Sequence, residues 1–345
     1  MRITWLLLLV CCLCPAPSAG RCKFPAVFNF GDSNSDTGGF WAAFPAQPGP
    51  FGMTYFRKPA GRASDGRLVI DFIGTHSSIS IGSDFRHGAN FATLASTVMQ
   101  PTTSLFVSGT SPFYLGVQLN QMKEFRSRVI SSGGKNGQLP SPDVFGNALY
   151  TIDIGQNDYT SNLGSQGVEK DLYNIGARNF MVFNMAPIGC YPAFLTELPH
   201  SSNDLDEYGC MKTYNSGVTY YNELLKNSLA EVRKKLHDSS IVYVDKYSVI
   251  LELFRHPNAH GLKYGTKACC GYGGGAYNFN QEVYCGNSKV LNGQTATGAA
   301  CGDPQNHVSW DGIHTTEAAN VRISYAVMSG SYSYPAFGLS KHCSP

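Results

Sequence analysis

AVFNFGDSNSDTG, residues 26–38, passes from strand formers into small polar residues, with Ser33 at the break. Ala26, Val27, Phe28 and Phe30 read as a short buried strand, and Gly31 and Asp32 as the turn that ends it. Ser33 then stands at a strand end, just ahead of Asn34, Ser35 and Asp36, residue types that open helices. Such a serine has its hydroxyl lifted toward solvent, close to unpaired backbone NH groups, as a nucleophile requires. Any strand-to-helix turn has the same look, so this stretch leaves a structural and a catalytic reading both open.

The chain begins with Arg2, an apolar run from Trp5 to Val10, and small residues through Ala16, Ser18, Ala19 and Gly20. This predicts a secretory leader over residues 1–20, because spanning a bilayer takes about 20 apolar residues and this run is shorter. The expected product is a single exported domain, residues 21–345, bound for the extracellular space or cell wall without a stable membrane anchor. Eight cysteines remain in it: Cys22, Cys190, Cys210, Cys269, Cys270, Cys285, Cys301 and Cys343. An even number suits an oxidising compartment, and their distribution favours Cys22 with Cys343, Cys190 with Cys210, and the last four among themselves. No two have CxxC spacing and the 269–270 doublet suits tetrahedral ligation poorly, so neither metal nor other cofactor is expected.

A net charge of +2 with 14% charged residues supplies no basic stripe, which argues against nucleic acid as a partner. The 43% hydrophobic content is enough for one large core, and no linker divides the chain. No Asn begins a glycosylation sequon.

Outward from the serine turn, a proline-rich loop leads to Leu68–Ile73, whose run leaves helix and strand both open. Gly88, Ala89 and Asn90 stand at the mouth of another short apolar element. Leu115, Leu119, Met122, Phe125 and Val129 have helical spacing, as do Tyr214, Val218, Tyr221, Leu225, Leu229, Val232 and Leu236. Strands are predicted at 148–154, at 180–185 and at 241–245, the first ending in Gly155, Gln156, Asn157 and Asp158. Alternation of this kind predicts an α/β doubly wound three-layer sandwich with a central, mostly parallel sheet. Ligands bind such sheets at the carboxyl ends of the strands, where Ser33 and Asn157 are both predicted to lie. The glycine-rich CCGYGGG at 269 lacks the lysine of a phosphate loop and reads as a cysteine-stapled surface loop.

Near the end, SWDGIHTTEAANVRISYAV sets Asp311 and His314 three apart, ahead of a helix whose inward face is Ala319, Ile323 and Val327. An aspartate so placed can accept the imidazole Nδ1 proton and hold Nε2 toward a serine. Asp32, Asp36 and Asp158 read as caps of turns or helices, and His87 either as a substrate contact or as a solvated loop residue. Trp310 is expected to pack beneath the loop.

Taken in order, FNFGDSNSDTGG, HGANFA, DIGQNDY and WDGIHTTEAAN resemble the four blocks of the plant GDSL esterase/lipases, in the SGNH hydrolase superfamily. The resemblance runs from about Phe24 to Phe337, with SDGRLVIDF, APIGC and CCGYGG as further landmarks. It implies a flavodoxin-like SGNH fold and a serine esterase or lipase, with Ser33 as nucleophile, His314 as base and then acid, and Asp311 orienting the imidazole. The Ser33 NH, the Gly88 NH and the Asn157 amide would form the oxyanion hole. The implied substrate is a small-molecule or carbohydrate ester: an acylated plant metabolite, an acylated glycoside or a lipid.

Two segments, near 73–83 and 160–176, are short against that family, the pattern a skipped exon or a gene-model error leaves. The alternative to an active esterase is therefore a catalytically impaired secreted binding or defence protein, or a truncated variant. A glycosidase would need two carboxylates flanking a sugar bond, and these blocks supply a serine triad instead.

Overall fold

Five parallel strands lie in the order β2–β1–β3–β4–β5: β1 Val27–Gly31, β2 Gly88–Asn90, β3 Leu149–Asp153, β4 Asn179–Phe183 and β5 Ser240–Val244. The structure is a computed structural model that describes residues 24–74, 84–101, 111–133, 137–161 and 168–339. The leader and the Cys22–Cys343 pair lie outside the described residues. The chain is a doubly wound three-layer α/β sandwich of flavodoxin-like order, and the order in which successive strands are added reverses between β1 and β3, which run parallel. Ser33 follows β1 at that switch point.

Both faces of the sheet are covered, so its strands are apolar on both sides, successive residues pointing into opposite cores. On one face Val27, Leu149, Met181, Phe183, Val242 and Val244 pack against helices α1 (Val69–Ile73), α6 (Lys246–Arg255) and α7 (Glu317–Ser329). On the other, Phe28, Phe30, Tyr150, Ile152, Phe180 and Val182 meet α2 (Leu115–Ser132) and α4 (Val168–Asn174) through Leu115, Leu119, Met122, Val129 and Leu172. The long α5 (Lys212–Lys235) joins both cores, through Val218 and Leu229. The ambiguous Leu68–Ile73 run is a helix because its apolar residues fold onto the α7 side of the sheet. Among the described residues, the crossover after β3 carries α3 (Gln156–Ser161) and the seven-residue α4, with residues 162–167 outside the described residues. Beside β2, on the face covered by α2, a groove of about 730 Å³ is lined by Phe85, Phe91, Phe113, Val117 and Phe125.

Outside the main sheet, β6 Cys270–Gly271 pairs antiparallel with β9 Ala299–Ala300, and β7 Ser288–Leu291 with β8 Gln294–Thr297. A two-residue strand, β10 Ser333–Tyr334, adds antiparallel to β5 and closes that edge. Disulfides join Cys190 to Cys210, Cys269 to Cys301 and Cys270 to Cys285. With six of the eight mature cysteines so paired, an unfolded, unreduced sample of the exported protein should show no free thiol on titration. Two free thiols would mean that Cys22 and Cys343 do not pair.

Candidate active site

The site is built at the carboxyl ends of β1 and β3. Gly31 lets the two strands converge there, since a Cβ on it would stand 2.2 Å from the Asp153 carbonyl oxygen. The Asp32 NH donates to that carbonyl at 3.2 Å, so the pairing runs one residue past β1. The chain then turns: the NH groups of Ser35 and Asp36 both donate to the Asp32 carbonyl. Ser33 thus sits at the tip of a turn fixed on both sides. Below it, buried Asn29 accepts from Thr151 Oγ1 and donates to Asn90 Oδ1 and the Ser35 carbonyl. This buried polar net crosses three strands, and nothing in the apolar run around Asn29 singles that residue out.

Asp311 and His314 come from the turn between Ser309 and Thr315, which pair across it. The Trp310 NH donates to the His314 carbonyl at 2.8 Å, and Asp311 Oδ1 accepts from the NH groups of Ile313 and His314 at 3.0 and 2.8 Å. Thr316 caps α7 directly behind, accepting from the Ala319 NH. The disulfide-closed loop supports the turn from outside: Cys269 and Cys270 donate their NH groups to the carbonyls of Ser309 and Trp310. Trp310, 1% exposed, packs with both cysteines and against Phe51.

These two turns meet. His314 Nε2 lies 2.8 Å from Ser33 Oγ, and His314 Nδ1 lies 2.7 Å from Asp311 Oδ2. With Nδ1 protonated toward the carboxylate, Nε2 is left to accept the serine proton. Burial pushes the Asp311 carboxyl up, but the charge of His314 and the hydrogen bonds from His314 and Ile313 outweigh it and hold the carboxyl below its ordinary range. Burial alone would lower His314; the Asp311 carboxylate, and behind it Asp32, raise its proton affinity above that of an ordinary histidine. Asp32 is itself pushed up to about 6 by burial and by the charge of Asp153, with Lys246 and the Asn34 hydrogen bonds pulling down.

Asn157 opens α3 after β3, and its Nδ2 donates to the Ser96 carbonyl at 2.9 Å. Asp158 accepts from the NH groups of Val98 and Met99, while Asp36 accepts from those of Gly38, Gly39, Phe40 and Leu94. The two aspartates act as caps, and between them they clamp the loop from Leu94 to Met99 over the serine turn.

Gly88 is not part of this assembly. It pairs with Val27, at the opposite end of β1 from Ser33, and its NH donates to the Phe85 carbonyl. At about 3.3 Å per residue that end of β1 is about 13 Å from Gly31, out of reach of an oxyanion on Ser33. The position is glycine for a different reason: at φ +120°, a Cβ there would stand 1.8 Å from the Val27 carbonyl oxygen. His87 shares this far end, exposed and within 3.3 Å of the Pro25 carbonyl, so the substrate-contact reading falls with it. The loop that does reach the site carries Ala95, a non-glycine residue at φ +61°, between the anchored Leu94 and Ser96. The Ala95 NH has no acceptor among the described residues.

The family model described as GDSL-like Lipase/Acylhydrolase matches residues 27–327. A GDSL esterase/lipase of Arabidopsis thaliana is 56% identical over 354 aligned residues, covering 94% of this chain and 93% of the relative. A protein named Esterase from Hevea brasiliensis is 42% identical, covering 97% and 93% of the two chains. One named Alpha-L-fucosidase 3, from Arabidopsis thaliana, is 41% identical, covering 96% and 95%. In the first alignment, 94% of 345 residues is about 324, so about 30 of the 354 positions face no residue of this chain. With a family match over most of its length and the serine, histidine and aspartate blocks brought together in space, this chain belongs to the GDSL lipase/acylhydrolase family of ester-hydrolysing serine hydrolases.

Proposed function

We propose that this protein is an exported carboxylic ester hydrolase that works through an acyl-enzyme on Ser33. The observation that carries the reading is the continuous relay from Ser33 Oγ through His314 to Asp311, at 2.8 and 2.7 Å. Attack of Ser33 Oγ on the ester carbonyl passes its proton to His314 Nε2, and the imidazolium is stabilised by Asp311. The same proton then goes to the departing alcohol, and water repeats the sequence to free the acid. The Ser33 NH and the Asn157 amide face the developing oxyanion, with the Ala95 NH taking the place first expected of Gly88. A backbone NH fixed by its neighbours needs no reorganisation as charge develops, and loss of one such donor typically costs about 2.7 to 4 kcal/mol.

The leader-like opening and the three disulfides support export. Acylated metabolites, acylated glycosides and lipids are the proposed substrates. A fucosidase-like reaction is not favoured, because the carboxylates behind Ser33 are already engaged: Asp32 by Asn34, Asp153 by Lys246 and Asp311 by His314. The deciding assay offers the mature protein aryl esters of graded acyl length beside an aryl fucoside. Ester turnover alone is expected; fucoside turnover without ester turnover would replace this reading.

Because His314 must be neutral to take the serine proton, kcat/KM should fall as pH falls. The midpoint should lie above histidine's ordinary value of 6.5, since the proton affinity of His314 is raised. A pH–rate profile that stays flat from about pH 8 to about pH 5 would remove His314 as the base.

A further inference from the structure

The carboxylates beneath the serine turn have a buried counter-charge that the triad does not use. Lys246 is the first residue of α6, where a lysine ordinarily reaches into water, yet it is 6% exposed. Its Nζ donates to Asp153 Oδ1, across 93 residues of sequence. Asp153 ends β3 in register with Gly31, and its backbone carbonyl anchors the Asp32 NH. A small cavity lined by Asn34, Asp153, Lys246 and His314 joins this ion pair to the catalytic turn.

We propose that Lys246 is a positioning residue for ester hydrolysis: paired with Asp153 at the floor of the site, its ammonium balances the carboxylates under Ser33 and keeps His314 available as a neutral base. The inference rests on the reading of His314 as that base. His314 is faced by Asp311 from its own turn, by Asp32 from the end of β1 and by the Asp153–Lys246 pair from β3 and α6. The Tyr191 phenol, beyond β4, is held neutral by burial and by the same aspartates. On the far side of Thr315, Asp65 accepts from the Glu317 NH and Arg67 pairs with Glu317, so that group is tied to itself. Lys246 is therefore the cation that faces the aspartates on the sheet side. Removing the lysine leaves the Asp153 and Asp32 carboxylates unbalanced beside the imidazole, and removing the Asp153 carboxylate leaves the ammonium unbalanced there. Each change alters the field on His314, in opposite directions.

The test reads His314 twice, by the acid limb of kcat/KM against pH and by NMR titration of its ring protons in the resting enzyme. The NMR arm needs no turnover, so it stands even if the esterase reading fails, and a Ser33→Ala control identifies that failure separately. Lys246→Met should move both midpoints up by about one pH unit, and Asp153→Asn should move them down. Lys246→Arg should restore the wild-type midpoint. Should Lys246→Met not fold, Asp153→Asn and the doubly neutral Lys246→Met/Asp153→Asn protein carry the test, the latter returning near wild type. Midpoints that stay put in the folded variants, or a Lys246→Met shift downward, would overturn the proposal. So would a fall in kcat with no movement of either midpoint, since that marks a purely structural role.

Discussion

Replacing Ser33 with alanine should reduce ester turnover by about a millionfold while leaving thermal stability near wild type. The serine is 5% exposed, but its Oγ faces His314 at a turn tip and fills no cavity, so its loss empties no packed volume. The turn is held by backbone bonds to the carbonyls of Asp32 and Asp153 and by the Asp36 carboxylate, none of which involves the hydroxyl. Any residual rate would come from substrate binding and the oxyanion donors. Circular dichroism and a melting curve on the variant, beside turnover on one aryl ester, make the check. A variant that keeps turnover would remove the acyl-enzyme mechanism, whereas one that loses both turnover and fold would give the serine a structural part instead.

A second large effect is expected from restoring the residues this chain lacks. About 30 positions of the first Arabidopsis relative have no counterpart here, and the two intervals that read as short lie near 73–83 and 160–176. The first precedes β2, which has only three residues and borders the groove lined by Phe85, Phe91, Phe113 and Phe125. The second falls in the crossover after β3, whose described residues form α3 and the seven-residue α4, the latter burying Leu172. Added segments that cover this apolar surface should contribute about 1.5 to 3 kcal/mol for each fully buried Leu, Ile or Val. Several such residues rival a typical total stability of about 5 to 15 kcal/mol. Because β2 leads into the loop of Leu94, Ala95 and Ser96, a firmer edge should also steady the oxyanion donors, where misplacement by about 1 Å costs about a hundredfold in rate. Both forms should be expressed and compared by thermal midpoint, hydrophobic-dye binding and turnover. A higher midpoint, weaker dye binding and faster turnover are expected of the restored form; equal values would show the short intervals to be tolerated variation.

The turns that carry Ser33, Asp311 and His314 were legible because each is local. A strand running into GDS, or an aspartate three residues ahead of a histidine before a helix, carries its geometry in adjacent residues. The alternating strands and helices of the sandwich were legible for a related reason, since the apolar runs and helical stripes are each continuous. Gly88 was misread because a motif does not state its register along a strand. GAN reads equally as a strand or as the end of one, and only its pairing with Val27 places it at the far end. The Ala95 turn carried no glycine to mark its left-handed backbone. Lys246 went unremarked because it follows Asp245, which caps α6, in a position where lysines commonly reach solvent; its burial is matched by Asp153, distant in sequence. The β10 strand, two residues with tyrosine as its only apolar side chain, has no periodicity to detect.

The closed loop behind Trp310 has a consequence for when the enzyme becomes competent. The turn bearing Asp311 and His314 hangs by two backbone bonds from Cys269 and Cys270, and each of those residues is itself tethered to a distant part of the chain by its sulfur. Where thiols stay reduced, nothing covalent holds that backing in place, and the turn keeps only its non-covalent ties, among them the Ala193 NH on the Gly312 carbonyl and the Ser64 hydroxyl on the Thr315 carbonyl. The seating of His314 opposite Ser33 is thereby linked to the oxidation state of four cysteines, and for an esterase that is exported, as proposed, full activity should follow passage into an oxidising compartment.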